Sequence, residues 1–249
     1  MHASASSISE PAMPEPVLQL RNVVAGYGET HVLQGVSFDL KRGERLAIIG
    51  RNGVGKTTTL ATIMGLTRLH GGSIRFKGQP IDALAPYQRA RRGLGLVPQT
   101  RDIFPSLSVE ENLIAGIRGN ASIDDAFELF PRLQERRRNG GTELSGGEQQ
   151  MLSIARTLMG NPDVLLLDEP LEGLAPVIRD MLMDVFEKLA SQRGQTIILV
   201  EQHTALALDF AERVLVLDQG AIVLEGRAVE MKERPDLLDR HIGLALETP

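Results

Sequence analysis

The segment Gly50-Arg51-Asn52-Gly53-Val54-Gly55-Lys56-Thr57 fits the spacing G-x-x-x-x-G-K-[ST]. Glycines let a backbone curl until successive amides face phosphate oxygens. A helix beginning just after them adds its positive end. In such a loop Lys56 reaches the β- and γ-phosphates and Thr57 offers its hydroxyl to Mg²⁺. Gly50, Asn52, Gly53, Gly55, Lys56, Thr57 and Thr58 are therefore the predicted nucleotide contacts. A phosphate site of this kind needs a carboxylate for the metal. Asp168 closes the apolar run Val164 to Leu167, and Glu169 follows it. In extended chain, neighbouring side chains point to opposite sides. One carboxylate then holds Mg²⁺ through water while the other faces an attacking water.

Three further features carry chemistry less specifically. Ser145-Gly146-Gly147-Glu148 opens a helix as a capping box. Read by itself it is either a well-capped helix or a second anion site, with Ser145, Gly146 and Gly147 as contacts. His203 follows an apolar run ending at Val200, and is either a structural residue or a neighbour of the γ-phosphate. Tyr27, between Gly26 and Gly28, is either a loop tyrosine or a ring that stacks on a purine.

The elements that must position these residues are legible in the pattern. Val36, Phe38 and Leu40 alternate with Ser37 and Asp39, as in a half-buried strand, and Ile74 and Phe76 alternate again. A small antiparallel sheet is predicted there. Leu46 to Ile49, Val164 to Leu167 and Thr196 to Val200 are continuous apolar runs, the mark of strands covered on both faces. A helix from the glycine loop runs through Leu60, Ile63 and Met64 to Gly65. Another starts at Pro176 with the stripe Val177, Ile178, Met181, Leu182, Val185, Phe186 and Leu189. Val214 to Leu217 and Ile222 to Leu224 flank Asp218-Gln219-Gly220 as a hairpin. Residues of about 100–160 read as mainly helical, and 231–249 as a closing helical segment. Buried strands alternating with helices give an α/β fold with a mostly parallel central sheet.

Composition narrows the function. The chain has 249 residues, 42% of them apolar, enough for one large domain. It has no Cys, which excludes disulfides and thiolate metal sites. The net charge of -5 argues against a broad nucleic-acid surface. No apolar run approaches the roughly 18 residues needed to span a bilayer. Residues 1–16, rich in Ala, Ser and Pro, read as a disordered tail rather than a secretory signal. Arg89, Arg91 and Arg92, and the run Arg136 to Arg138, are either solvated faces or contacts for an acidic partner or lipid headgroups.

Taken in order, these motifs resemble the nucleotide-binding subunit of an ATP-binding cassette (ABC) transporter. Gly50 to Thr57 is similar to its Walker A loop, and Val164 to Glu169 to its Walker B strand with the catalytic glutamate. Leu144 to Gln149 is similar to the LSGGQ signature, with Glu148 where Gln is usual. Gln99 matches the Q-loop, His203 the H-loop and Tyr27 the A-loop. Phe104-Pro105-Ser106-Leu107-Ser108-Val109-Glu110-Glu111-Asn112-Leu113 and Glu172-Gly173-Leu174-Ala175-Pro176 resemble the ATPases of branched-chain amino acid importers, and of similar urea importers. Leu171 and Ala175 depart from the usual Thr and D-loop Asp.

The resemblance implies a P-loop NTPase over residues 17–230, with an N-terminal antiparallel β-subdomain and an inserted α-helical subdomain at about 100–160. It implies ATP and Mg²⁺ as cofactors, with Thr57, Gln99 and Asp168 around the metal. Glu169 is implied to polarise the water, His203 to steady the γ-phosphate, and Gln99 to sense metal and water. It implies a head-to-tail homo- or heterodimer with a second ATP-binding subunit. Each ATP would lie between Lys56 and Thr57 of one subunit and Ser145, Gly146 and Gly147 of the other. It also implies membrane permease partners, an indirect link to a solute-binding protein, and a peripheral place on the cytoplasmic face of the inner membrane. An ATPase of DNA repair or translation, a small kinase or GTPase, and a nucleotide binder without turnover are the competing readings. The chain lacks the coiled-coil insertion or second cassette of the first and the Asn-Lys-x-Asp motif of a GTPase, and Glu169 speaks against the last.

Overall fold

Ile49 ends a buried strand and Lys56 begins a helix, so the glycine loop has the setting its chemistry requires. The computed structural model describes residues 15–242. Most of the predicted N-terminal tail, and residues 243–249 of the closing segment, lie outside the described residues. In chain order, the first half contains β1 (Leu18–Tyr27), β2 (Thr30–Leu40), β3 (Arg45–Ile49), α1 (Lys56–Met64), β4 (Arg68–Phe76), β5 (Gln79–Pro80), α2 (Pro86–Arg91) and β6 (Leu94–Val97). The helices α3 (Val109–Gly116), α4 (Ile123–Leu129), α5 (Pro131–Glu135) and α6 (Gly146–Leu158) follow. The second half contains β7 (Val164–Asp168), α7 (Pro176–Arg193), β8 (Thr196–Glu201), α8 (Thr204–Phe210), β9 (Arg213–Asp218), β10 (Ala221–Arg227), α9 (Ala228–Glu233) and α10 (Pro235–Ile242).

Two sheets result. The first, in the order β2-β1-β4-β5, is antiparallel. The second runs β10-β9-β3-β8-β7-β6, and is parallel except for the β9–β10 hairpin. The pleat explains why its strands are apolar throughout. Leu46, Ile48, Leu166 and Ile198 face a core shared with α1 and the antiparallel sheet. Leu165, Leu167, Ile197 and Leu199 face a second core built from α3 to α7. Ala47, Ile49, Val214 and Val216 are covered by α8, α9 and α10. Phosphate ligands gather at the carboxyl edge of such a sheet, and here β3, β7 and β8 end there together.

Two sequence expectations are corrected. Val177 is 76% exposed, not part of the buried stripe of α7. Pro176 and Val177 form the first turn, and only from Leu182 through Val185, Phe186 and Leu189 does the helix bury its side chains against the sheet. Arg89 is neither a solvated nor a partner-facing residue. It is 3% exposed, and its guanidinium donates to the carbonyls of Thr62 and Ile63 at 2.9 Å and of Leu84 and Asp82 at 3.0 Å. The carbonyls at a helix C-terminus have no partners inside the helix, and Arg89 supplies them for α1.

Candidate functional site

The loop between β3 and α1 is shaped by close approach. A Cβ on Gly50 would lie 2.4 Å from the Leu217 carbonyl oxygen, so β9 leaves room there only for hydrogen. Gly55, at φ +111, caps α1, and a Cβ there would meet Leu33 at 3.0 Å. No acidic side chain lies in the first turn of α1. The positive end of the helix is therefore not neutralised from within.

Beside the loop is a cavity of about 260 Å³, lined by Asn52, Gly53, Gly55, Lys56, Thr57, Thr58, Gln99, Glu169, Glu172 and Gln202. Lys56 is buried, donating from Nζ to the carbonyls of Gly50 at 2.9 Å and Arg51 at 3.0 Å. The same Nζ lies 3.3 Å from Glu169 Oε1. Thr57 Oγ1 donates to Asp168 Oδ1 at 3.0 Å. Burial, together with the nearby charge of Glu169, pushes the Asp168 carboxyl up to about 6, against the Thr57 hydrogen bond and the Lys56 charge. Gln99 leaves the end of β6 and donates to Glu169 Oε2 at 3.3 Å and to Glu172. Gln202 donates to Glu169 Oε2 at 2.6 Å.

Glu169 does not continue the strand as extended chain. Its φ is +45, and its N–H donates to the Val200 carbonyl at 2.9 Å. This corrects the expectation that Asp168 and Glu169 diverge by strand alternation. The turn brings both carboxylates to the glycine loop, Asp168 against Thr57 and Glu169 against Lys56. A larger groove of about 430 Å³ lies elsewhere, between Arg42, Asp125, Asp163 and Arg193, and holds none of the motif residues.

Other predicted residues are not in this cavity. Tyr27 ends β1 and is half exposed. Ser145 caps α6, with Gly146 and Gly147 in its first turn, away from Lys56 and Glu169. His203 is an exposed residue at the start of α8 and does not line the cavity. Gln202, its neighbour, lines the cavity. The reason is one residue of register: β8 ends at Glu201, so Gln202 is the first side chain free of the sheet, and the chain has already turned into α8 at His203. Counting from the strand end finds Gln202. Glu172 was also missed, four residues beyond Asp168 and carrying no pattern of its own.

Glu201 was missed as well. It is 1% exposed and accepts hydrogen bonds from the backbone of Leu171, at 3.3 Å, and of Gln202 and His203. Burial pushes its carboxyl from 4.5 up to about 7. Between those two values only the folded chain holds the proton, so folding stability falls as pH rises across that window. The whole loss is about 3 kcal/mol and is complete above the upper value. Glu201→Gln removes the titration. Relative to the parent, its stability in denaturant unfolding rises by about 2 kcal/mol from about pH 5.5 to about pH 8.5. A difference that does not change with pH refutes this account.

Comparison with known proteins decides the family. The profile described as ABC transporter matches residues 33–172. The chain is 39% identical, over 91% of its length and all of the relative, to the high-affinity branched-chain amino acid transport ATP-binding protein BraG of Pseudomonas aeruginosa. The chain belongs to the ABC transporter family. A second relative of this ABC ATPase is the probable branched-chain amino acid transport ATP-binding protein LivF of Archaeoglobus fulgidus, 39% identical over 84% of this chain and 91% of that one. Among solved structures, the dimeric cassette MJ0796 in a post-hydrolysis state bound to ADP and Pi superposes with a TM-score of 0.75. It is 27% identical, covering 85% of this chain and 98% of that one. The α/β P-loop fold and ATP hydrolysis expected from the motifs are those of the family. Among the described residues of the ABC ATPase, no helix is long and apolar enough to cross a membrane.

Proposed function

We propose that this ABC ATPase drives an importer of branched-chain amino acids through permease subunits in the membrane. The observation that carries its chemistry is the convergence of Lys56, Thr57 and Glu169 on one cavity, with the Asp168 carboxylate hydrogen-bonded to Thr57 behind it. In this reading the amides of Gly53, Gly55 and Lys56 and the Lys56 ammonium cradle the ATP phosphates, with Asn52 and Thr58 beside them. Among the described residues no group of three His, Asp or Glu forms a metal cage. One hydroxyl, one buried carboxylate and substrate phosphates suit Mg²⁺, which keeps several waters. Thr57 and Asp168 would hold it, and when bound it neutralises phosphate charge. Glu169 is the base that takes the proton of the attacking water. Gln99 and Gln202 hold the Glu169 carboxylate in place by donating to its Oε2.

The second cradle, Ser145 to Gly147, is assigned to the ATP of a partner copy in a head-to-tail dimer. The distance along the fold between this segment and the Lys56 cavity supports that reading, as does the dimeric state of the similar cassette MJ0796. On the same reading, residues 17–230 form the nucleotide unit, and the helical region of about 100–160 faces the permease at the cytoplasmic side of the membrane. Tyr27, on the free end of β1, would stack on the adenine.

The solute rests on the two relatives named above and is tested by reconstitution. The tagged chain is purified from membranes with its permease subunits and a solute-binding protein, and ATP turnover is measured in vesicles. Leucine, isoleucine or valine is expected to stimulate turnover several-fold. Stimulation by urea alone replaces the solute assignment, and a chain that co-purifies with no membrane subunit, its turnover unchanged by any solute, overturns the transport reading.

A further inference from the structure

Two arginines of the helical region turn inward. Helix α6 has Ser145 as its N-cap and Glu148 at the third helical position. Glu148 Oε2 accepts from the Ser145 backbone N–H at 2.8 Å and from its hydroxyl at 2.9 Å. Glu148 Oε1 accepts from Arg132 Nε at 3.0 Å and from Arg136 Nε at 3.3 Å. The carboxylate is 7% exposed, while both arginines reach solvent. Burial works against its charge, but the Ser145 and arginine hydrogen bonds outweigh it and hold the carboxyl below its usual range. Glu148 is therefore a carboxylate, one hydrogen bond from the serine assigned to a terminal phosphate.

A bare carboxylate there has two effects on a phosphate. It repels the incoming negative charge. It also engages the only proton of the Ser145 hydroxyl, which the phosphate would otherwise accept. Two guanidiniums on the opposite oxygen offset the first effect, and by drawing charge to that oxygen they weaken the hold of the other on the Ser145 proton. Part of the basic run read in the sequence as a solvated or partner-facing surface is thus used internally. Arg137, beside Arg136, pairs in turn with Glu110.

We propose that Arg132 and Arg136 are positioning residues for the second phosphate cradle, compensating the charge of Glu148 so that Ser145 to Gly147 accept the terminal phosphate of a partner copy's ATP. This rests on the assignment of that cradle made under the proposed function. The test uses the full chain in four main forms, the parent, Arg132→Ala/Arg136→Ala, Glu148→Gln and the triple variant, with Arg132→Lys/Arg136→Lys as a fifth. Steady-state ATP turnover is measured on all five. ATP-driven dimerisation is measured by light scattering after adding Glu169→Gln to each. In the Glu148 background the arginine substitutions are expected to lower kcat and the dimer association constant at least tenfold. ATP affinity of the monomer, set by the Lys56 loop, should stay within twofold. In the Glu148→Gln background the same arginine substitutions should change kcat and dimerisation less than twofold, and Arg132→Lys/Arg136→Lys should restore most of the parental values. Equal losses in both backgrounds would show that the arginines only support α5 and overturn the proposal, as would no loss in either. If the Glu169→Gln protein with Glu148, Arg132 and Arg136 intact stays monomeric with ATP, the two-copy reading itself fails, and this inference with it.

Discussion

Glu169→Gln stops hydrolysis and leaves ATP bound. A general base contributes about 10²- to 10⁴-fold, so phosphate release at saturating ATP should fall by at least about 100-fold. Binding is retained because the amide has nearly the shape of the carboxylate, and because the loop glycines, Lys56 and Thr57 are untouched. Lys56 Nζ also loses a carboxylate partner at 3.3 Å and keeps its two loop carbonyls, so ATP binds as tightly as in the parent or tighter. A fluorescent nucleotide titration and a phosphate-release assay read the two quantities separately. Hydrolysis at the parental rate removes Glu169 from the mechanism. Loss of ATP binding together with hydrolysis makes its role structural.

Gln202→Ala and His203→Ala read two different roles. Gln202 donates to Glu169 Oε2 at 2.6 Å, and Gln99 reaches the same oxygen at 3.3 Å. Without Gln202 the Glu169 carboxylate keeps one side-chain donor on that oxygen and is free to swing toward Lys56. Misplacing a reacting group by about 1 Å costs on the order of 100-fold, and partial retention by Gln99 sets the expected loss of kcat at about tenfold. KM for ATP should change little, because Gln202 touches the base and not the loop. His203 is exposed outside the cavity, so His203→Ala reads its expected place at the γ-phosphate: kcat within about twofold of the parent removes that role, and a larger fall with ATP binding kept supports it.

The sequence carried the phosphate loop almost whole. Its glycines sit where backbone geometry demands them, between a fully apolar strand and a helix, and both neighbours have strong local signatures. The buried strands β3, β7 and β8 were legible for the same reason. What failed were features decided by tertiary contact. Glu169 adopts φ +45, a conformation that a glutamate does not advertise and that the β8 carbonyl of Val200 holds in place. That Gln202 lines the cavity turned on one residue of strand length. Val177 had the right type and spacing for the α7 stripe, yet in that first turn it is Ile178 that packs against the core, and Val177 is exposed. Over about 100–160 the sequence read as mainly helical, without separate helices or their connections. Those depend on Asn112, fully buried, which accepts from the Phe104 N–H and donates to the carbonyls of Phe104, Leu107 and Ser108. No local pattern marks an asparagine as the tie of a loop. Arg89 was misread for a related reason: its carbonyl partners belong to a helix 26 and 27 residues earlier in the chain.

The Arg89 clamp makes α1 a rod gripped at both poles. One pole faces the anion-binding loop, and the guanidinium seals the other, reaching from α2 and tying in the turn before it. Shortening that side chain would strip the Thr62 and Ile63 carbonyls of a shared donor, so the end of α1 remote from the loop would fray first.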